Sequence, residues 1–168
     1  MDAIAVLTEA YARVPELAHR AVDGLTAEQL SWAPVEGANP IAWLIWHLAR
    51  GQDAQIAELA GTEQVYATGD WAASFGLRPD PADTGYGHDS AAVHAVRPAS
   101  PQALLDYLDA VHEATRAFLG TLTAADLDRV VDDSWDPPVT LGARLVSIVD
   151  DDVQHAGQAA YVRGLQGA

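Results

Sequence analysis

The chain has 168 residues, 49% of them apolar and 20% charged, the balance of a packed globular domain and not of a disordered segment. Cysteine is absent, which excludes a disulfide framework, a thiolate metal site and a cysteine nucleophile. Nine cationic residues, all arginine, face 24 acidic ones for a net charge of −15. Such a field repels phosphate backbones and anionic lipid, so neither nucleic acid nor a membrane surface is an expected partner. Without lysine there is no Schiff base and no P-loop. The start, Met1-Asp2-Ala3-Ile4, lacks the basic and apolar regions of a signal peptide. No apolar run is long enough to span a bilayer. A cytoplasmic protein of one domain, residues 1–168, is the expectation.

From Asp2 to about Leu25, the residues Ile4, Leu7, Tyr11, Val14, Leu17 or Ala18, Ala21 and Leu25 recur at intervals of three and four. This predicts a long amphipathic helix with Asp2 as its N-cap and a kink at Pro15. Thr26-Ala27-Glu28-Gln29 reads as a capping box opening a short helical turn. After a loop from Pro34 to Pro40, a second long helix is predicted over about Pro40–Ala60. Asn39 is its expected N-cap, Pro40 its first residue, and Ile41, Leu44, Ile45, Leu48, Ile56 and Leu59 its buried stripe.

Periodicity fails between Gly61 and Pro98, a stretch punctuated by glycine and proline, which predicts a long crossover. Ser100-Pro101 opens a third helix with Leu104, Leu108, Val111, Thr115, Phe118 and Leu122 on its core face. Thr123 caps a short turn, Trp135–Thr140 is read as a loop, and a fourth helix is expected from about Thr140 to Leu165. No alternating run predicts a strand. The fold class expected is all-α: a four-helix bundle with a long crossover between helices two and three.

The fourth helix carries the most informative pattern. At about 100° per residue, Leu141, Leu145, Ile148, Ala159 and Val162 form an apolar stripe. His155 lies within it, Asp151 and Asp152 on its two sides, and Asp150 opposite. A buried carboxylate needs a partner, a proton or a metal. Asp151 and His155 are one turn apart, which is ligand spacing for a metal on a helix. Asp152 replaces Asp151 if the helix is rotated slightly. His47, among apolar neighbours on the second helix, is the candidate third ligand, since facing helices of a bundle can bring the three together. Two imidazoles and a carboxylate suit a divalent ion, zinc first, with nickel or ferrous iron also in range. The competing readings are a core histidine at His47 and a plain ion pair between Asp151 and His155.

His19 and His112 lie on the flanks of their helices and read as surface or rim residues. His88 and His94, in the crossover, read as solvated.

The stretch Asn39-Pro40-Ile41-Ala42-Trp43-Leu44-Ile45-Trp46-His47-Leu48-Ala49-Arg50-Gly51-Gln52-Asp53 resembles the second-helix signature of the DinB-like superfamily, with its Trp-x-x-x-His-x-x-Arg pattern. Asp150-Asp151-Asp152-Val153-Gln154-His155-Ala156-Gly157-Gln158 is similar to the last helix of that superfamily, in which a ligand, three residues and a His-x-Gly-Gln run recur. The resemblance implies a metal-dependent bundle with ligands at His47, Asp151 and His155. Many members carry three histidines. The carboxylate here resembles the branch containing the mycothiol-dependent maleylpyruvate isomerase, and matches its N-terminal domain without the additional C-terminal one. A carboxylate ligand makes the metal a weaker Lewis acid.

The resemblance further implies a thiol-dependent transferase or isomerase using a low-molecular-weight thiol such as mycothiol or bacillithiol. Trp43, Trp46, Arg50 and Arg163 are then the expected substrate-binding residues, against a default reading of both arginines as solvated. The expected partners are a small thiol and an electrophile, with a homodimer left open. The alternative function is a non-catalytic metal-binding bundle with a stress-related or interaction role. DNA repair, which the superfamily name suggests, is opposed by the charge of −15.

Overall fold

A computed structural model describes residues 2–167. Helix α1 spans Ala3–Val22, capped by Asp2, whose side chain accepts from the Ala5 amide, and it continues unbroken through Pro15. The short α2 (Ala27–Leu30) begins in the capping box expected from Thr26 and Gln29. Helix α3 covers Ile41–Ala60, with Pro40 and not Asn39 at the N-cap position and no side-chain cap. The crossover contains a 3-10 turn (Val65–Thr68), α4 (Trp71–Ser74) and α5 (Ser90–Ala95). Helix α6 covers Pro101–Leu119, capped by Ser100. A second 3-10 turn, Ala124–Asp128, leads to β1 (Val130–Asp132) and β2 (Val139–Thr140), and α7 runs from Leu141 to Gln166.

The two strands correct the expectation of a loop and no sheet. They pair antiparallel with an irregular register, and three residues against two are too short to leave an alternating pattern.

The four long helices form the bundle. Helix α7 packs on α1 and α3, and α6 packs on the same two from the other side. Contacts set the directions. Tyr11 donates to the Leu145 carbonyl and Arg163 to that of Arg20, so α1 and α7 run parallel. Arg50 meets Tyr107 and Gln52 meets Thr115, so α3 and α6 also run parallel. A chain leaving the end of α3 must therefore travel back along the bundle before α6 can begin. That is why the crossover is long, and why it passes along α3.

The crossover covers faces of α3 that a simple stripe leaves to solvent. Trp43, Trp46, Arg50, Gln52 and Asp53 are buried together with the expected apolar residues, while Leu59 is only partly covered. Tyr66, Phe75, Val93 and Val96 of the crossover join the core.

Asp152 is 1% exposed, and its Oδ2 atom has no hydrogen-bond partner among the described residues. Burial, then the neighbouring Asp151 charge, pushes its carboxyl well above the usual carboxylate range. Below pH 3.8, the ordinary aspartate value, folded and unfolded states both hold the proton. As pH rises from there toward the folded pKa, only the unfolded state releases it, and stability is lost. Asp152→Asn is therefore expected to raise the Tm of the metal-free protein at neutral pH by a few degrees, from about 1–3 kcal/mol. The gain should vanish in melts run below pH 3.8.

Candidate metal centre

His47 on α3 and Asp151 and His155 on α7 meet where the two helices pack. One ligating atom from each lies within 4.8 Å of the others. The two imidazoles stand edge to face, with ring centres 4.8 Å apart. The Asp151 Oδ1 atom is 3.6 Å from His155 Nε2, too far for a good hydrogen bond. Asp152 is not in the group: it is buried toward Tyr11 of α1, on whose phenol its charge acts.

Each histidine is oriented through its other nitrogen. Nδ1 of His47 lies 2.5 Å from the Thr84 carbonyl oxygen, which can only accept. Nδ1 of His155 lies 3.0 Å from Gln158 Oε1. With both Nδ1 atoms donating, both Nε2 atoms carry bare lone pairs, and they face a carboxylate that also only accepts. In the neutral forms of the two rings three acceptors converge, an arrangement that a cation satisfies, and such oriented imidazoles are the usual company of a metal. Burial holds the His47 pKa below the ordinary histidine value, against the bond to Thr84, and the ring is thereby kept in its neutral, ligating form.

The surroundings come from α3 and the crossover. Trp43 stacks on His47 at 4.5 Å and meets His155 edge-on at 6.1 Å. Its indole N–H donates to His88 Nδ1, and His88 Nε2 donates to Asp83 Oδ1 at 2.8 Å. His88 also stacks on Trp46. The expectation of a solvated His88 is thus corrected: it is half-buried behind the cluster. Gly85 has φ +88°, and a Cβ there would lie 2.9 Å from both His47 Nδ1 and the Trp46 ring. Only glycine lets the chain pass this close. The pair of glycines around Tyr86, with Asp83 and His88 beside them, was the available sequence signal for this part of the site.

Other expected residues sit elsewhere. Trp46 is fully buried and presents no surface to a ligand, while Trp43, 7% exposed, forms the wall next to His47. Arg50 is neither solvated nor at a pocket mouth. It is 0% exposed, with every nitrogen of its guanidinium hydrogen-bonded within the protein. A charged head buried at this depth needs Asp53 beside it, and that pairing leaves it no donor for substrate. Arg163 donates to the carbonyls of Arg20 and Asp23, closing the end of α1 two turns away from His155. His19 pairs with Asp109 at the surface. The open side of the cluster is Asp151, whose side chain is 53% exposed.

Among the described residues, no helix is long and apolar enough to cross a membrane. No curated protein sequence matches the chain significantly. The crystal structure of a conserved protein from Enterococcus faecalis is similar over 97% of this chain and 96% of that one, with TM-score 0.89 and 32% identity. The sequence profile of the DinB superfamily matches residues 10–159. The mostly helical fold agrees with that profile, and the chain belongs to the DinB superfamily.

Proposed function

We propose that the chain holds a divalent metal ion on His47, Asp151 and His155 and uses it to activate a low-molecular-weight thiol toward a small electrophile. The observation that carries this reading is the convergence of three lone-pair donors within 4.8 Å, with both histidines already fixed through Nδ1. Two imidazoles and one carboxylate suit zinc, and nickel or ferrous iron share the same donor range. When bound, such an ion lowers the pKa of a coordinated thiol and so supplies a thiolate near neutral pH.

The chain's own residues do the rest. Burial keeps the His47 ring neutral, and both imidazoles are held in orientation through Nδ1. Trp43 excludes water from one side of the cluster, while exposed Asp151 leaves the other side accessible. Three protein ligands with an accessible side are the pattern of a catalytic site, whereas a structural zinc is closed by four. Because the sequence has no cysteine, the thiol must come from a cosubstrate. The net charge of −15 draws cations in and disfavours a strongly anionic cosubstrate.

The test is metal analysis of protein purified without an affinity tag, followed by thiol conjugation assays with a panel of electrophiles. The expected result is about one metal ion per chain and a rate that chelation removes and zinc restores. Stoichiometric metal without any metal-dependent rate would select the non-catalytic binding protein instead. No binding at all would leave Asp151 and His155 as an ion pair.

A further inference from the structure

Between Pro81 and Gly85 the crossover is hydrogen-bonded to α3 through its backbone carbonyls. The Asp83 and Thr84 carbonyls are consecutive, and two residues three apart on α3 hold them: Arg50 Nε donates to Asp83 O at 3.1 Å, and His47 Nδ1 to Thr84 O. A second guanidinium nitrogen reaches the Pro81 carbonyl at 2.8 Å. We propose that Arg50 is a positioning residue, which fastens the Pro81–Gly85 strap to α3 and so keeps the Thr84 carbonyl against His47, fixing which ring nitrogen is bare. This rests on the reading of His47 as a ligand.

The guanidinium is itself held from several directions. Its NH1 donates to Asp53 Oδ2 and to the Tyr107 hydroxyl, and its NH2 to Gln64 Oε1. Its central carbon, Cζ, lies over the Tyr66 ring, 4.0 Å from the ring centre. Asp53 is fixed in turn by the Val65 and Tyr66 amides and by the Tyr107 hydroxyl. Helices α3 and α6 and the start of the crossover thus immobilise one planar fork, whose remaining donors face the strap.

Buried ion pairs are poor stabilisers compared with apolar packing. What this one adds is geometry: a rigid fork of five N–H donors holds five separate partners at fixed angles, whereas an ammonium has only three donors on one atom. The strap then sits at a depth only glycine tolerates at position 85, because a Cβ would lie 2.9 Å from His47 Nδ1. The pull of Arg50 and the absence of a side chain at Gly85 together set the distance from Thr84 to His47. Fixing the tautomer of a ligand through its second nitrogen is worth about 10–100-fold in metal affinity.

The test uses long-range nitrogen–proton correlation spectra of metal-free protein, at a pH where the imidazoles are neutral, together with zinc affinity by chelator competition. Wild-type His47 should appear as a single Nδ1–H tautomer. Arg50→Lys keeps the charge beside Asp53 but loses the grip on two carbonyls. Gly85→Ala lifts the strap with Arg50 intact. Both should shift His47 to a tautomer mixture and weaken zinc about 10–100-fold.

Tyr107→Phe loosens the same buried network without touching a strap bond, and should lower the Tm while leaving the tautomer and zinc affinity unchanged. The proposal is overturned if Arg50→Lys or Gly85→Ala keeps the wild-type tautomer, or if Tyr107→Phe shifts it equally. If Arg50→Lys does not fold, the charge-free pair Arg50→Gln/Asp53→Asn, which also lacks the grip on the strap carbonyls, is read in its place. A wild-type protein that binds no zinc would sink the metal reading, and the tautomer spectra would still decide the role of Arg50.

Discussion

Replacing His155 by alanine is expected to abolish metal binding and any metal-dependent rate while leaving the bundle folded. The imidazole supplies one of three donors, so its loss should exceed the roughly 10–100-fold effect of removing an outer partner. Alanine is the strongest helix former, and position 155 lies in the middle of the 26-residue α7. Circular dichroism and the Tm of the metal-free protein should therefore change little. Calorimetric zinc titration of the two proteins gives the contrast directly. Undiminished affinity in His155→Ala would remove the cluster from consideration as a metal site.

The largest stability effect is expected at Asp53. Its carboxylate accepts from the Val65 and Tyr66 amides, the Tyr107 hydroxyl and Arg50 NH1. Asp53→Ala leaves the fully buried Arg50 charge uncompensated and two crossover amides without acceptors. Breaking a buried pair in this one-sided way costs about 3–5 kcal/mol. In a chain of this length each kcal/mol is about 2–4 °C, so the Tm should fall by roughly 6–20 °C. Denaturant unfolding checks the size of the loss, and a change below about 1 kcal/mol would show that the pair is dispensable.

The parts that were legible in the sequence depend on local rules. Asp2, Thr26 and Ser100 cap where short side chains with an acceptor three residues before a free amide must cap. That Asp151 and His155 share one side of α7 follows from helical angle alone, and their ligating atoms lie within 4.8 Å of that of His47, although Asp151 sits at the exposed rim and not inward. What stayed hidden depends on distant chain. Arg50 reads as a surface residue on its own helix because, Asp53 apart, its partners lie 14 to 57 residues away, in the crossover and α6. His88 reads as solvated for the same reason: its partner Trp43, 45 residues away, is brought to it by a chain reversal that no periodicity announces. The choice between Asp151 and Asp152 needed the rotation of α7, which packing against α1 and α3 sets.

The strap at Pro81–Gly85 is fastened to α3 by carbonyl oxygens, which every amino acid possesses. Apart from Gly85, and Asp83 with its bond to His88, the side chains there are not what holds the segment down. Tyr86, at its tip, is 93% exposed. The residues of the candidate centre and the wall beside it are therefore under different constraints. Helices α3 and α7 must keep their residues, while the outward positions of the strap can change without detaching it. Relatives with the same ligand triad could in this way diverge in what they admit, by substitutions at a handful of loop positions and with no cost to the core.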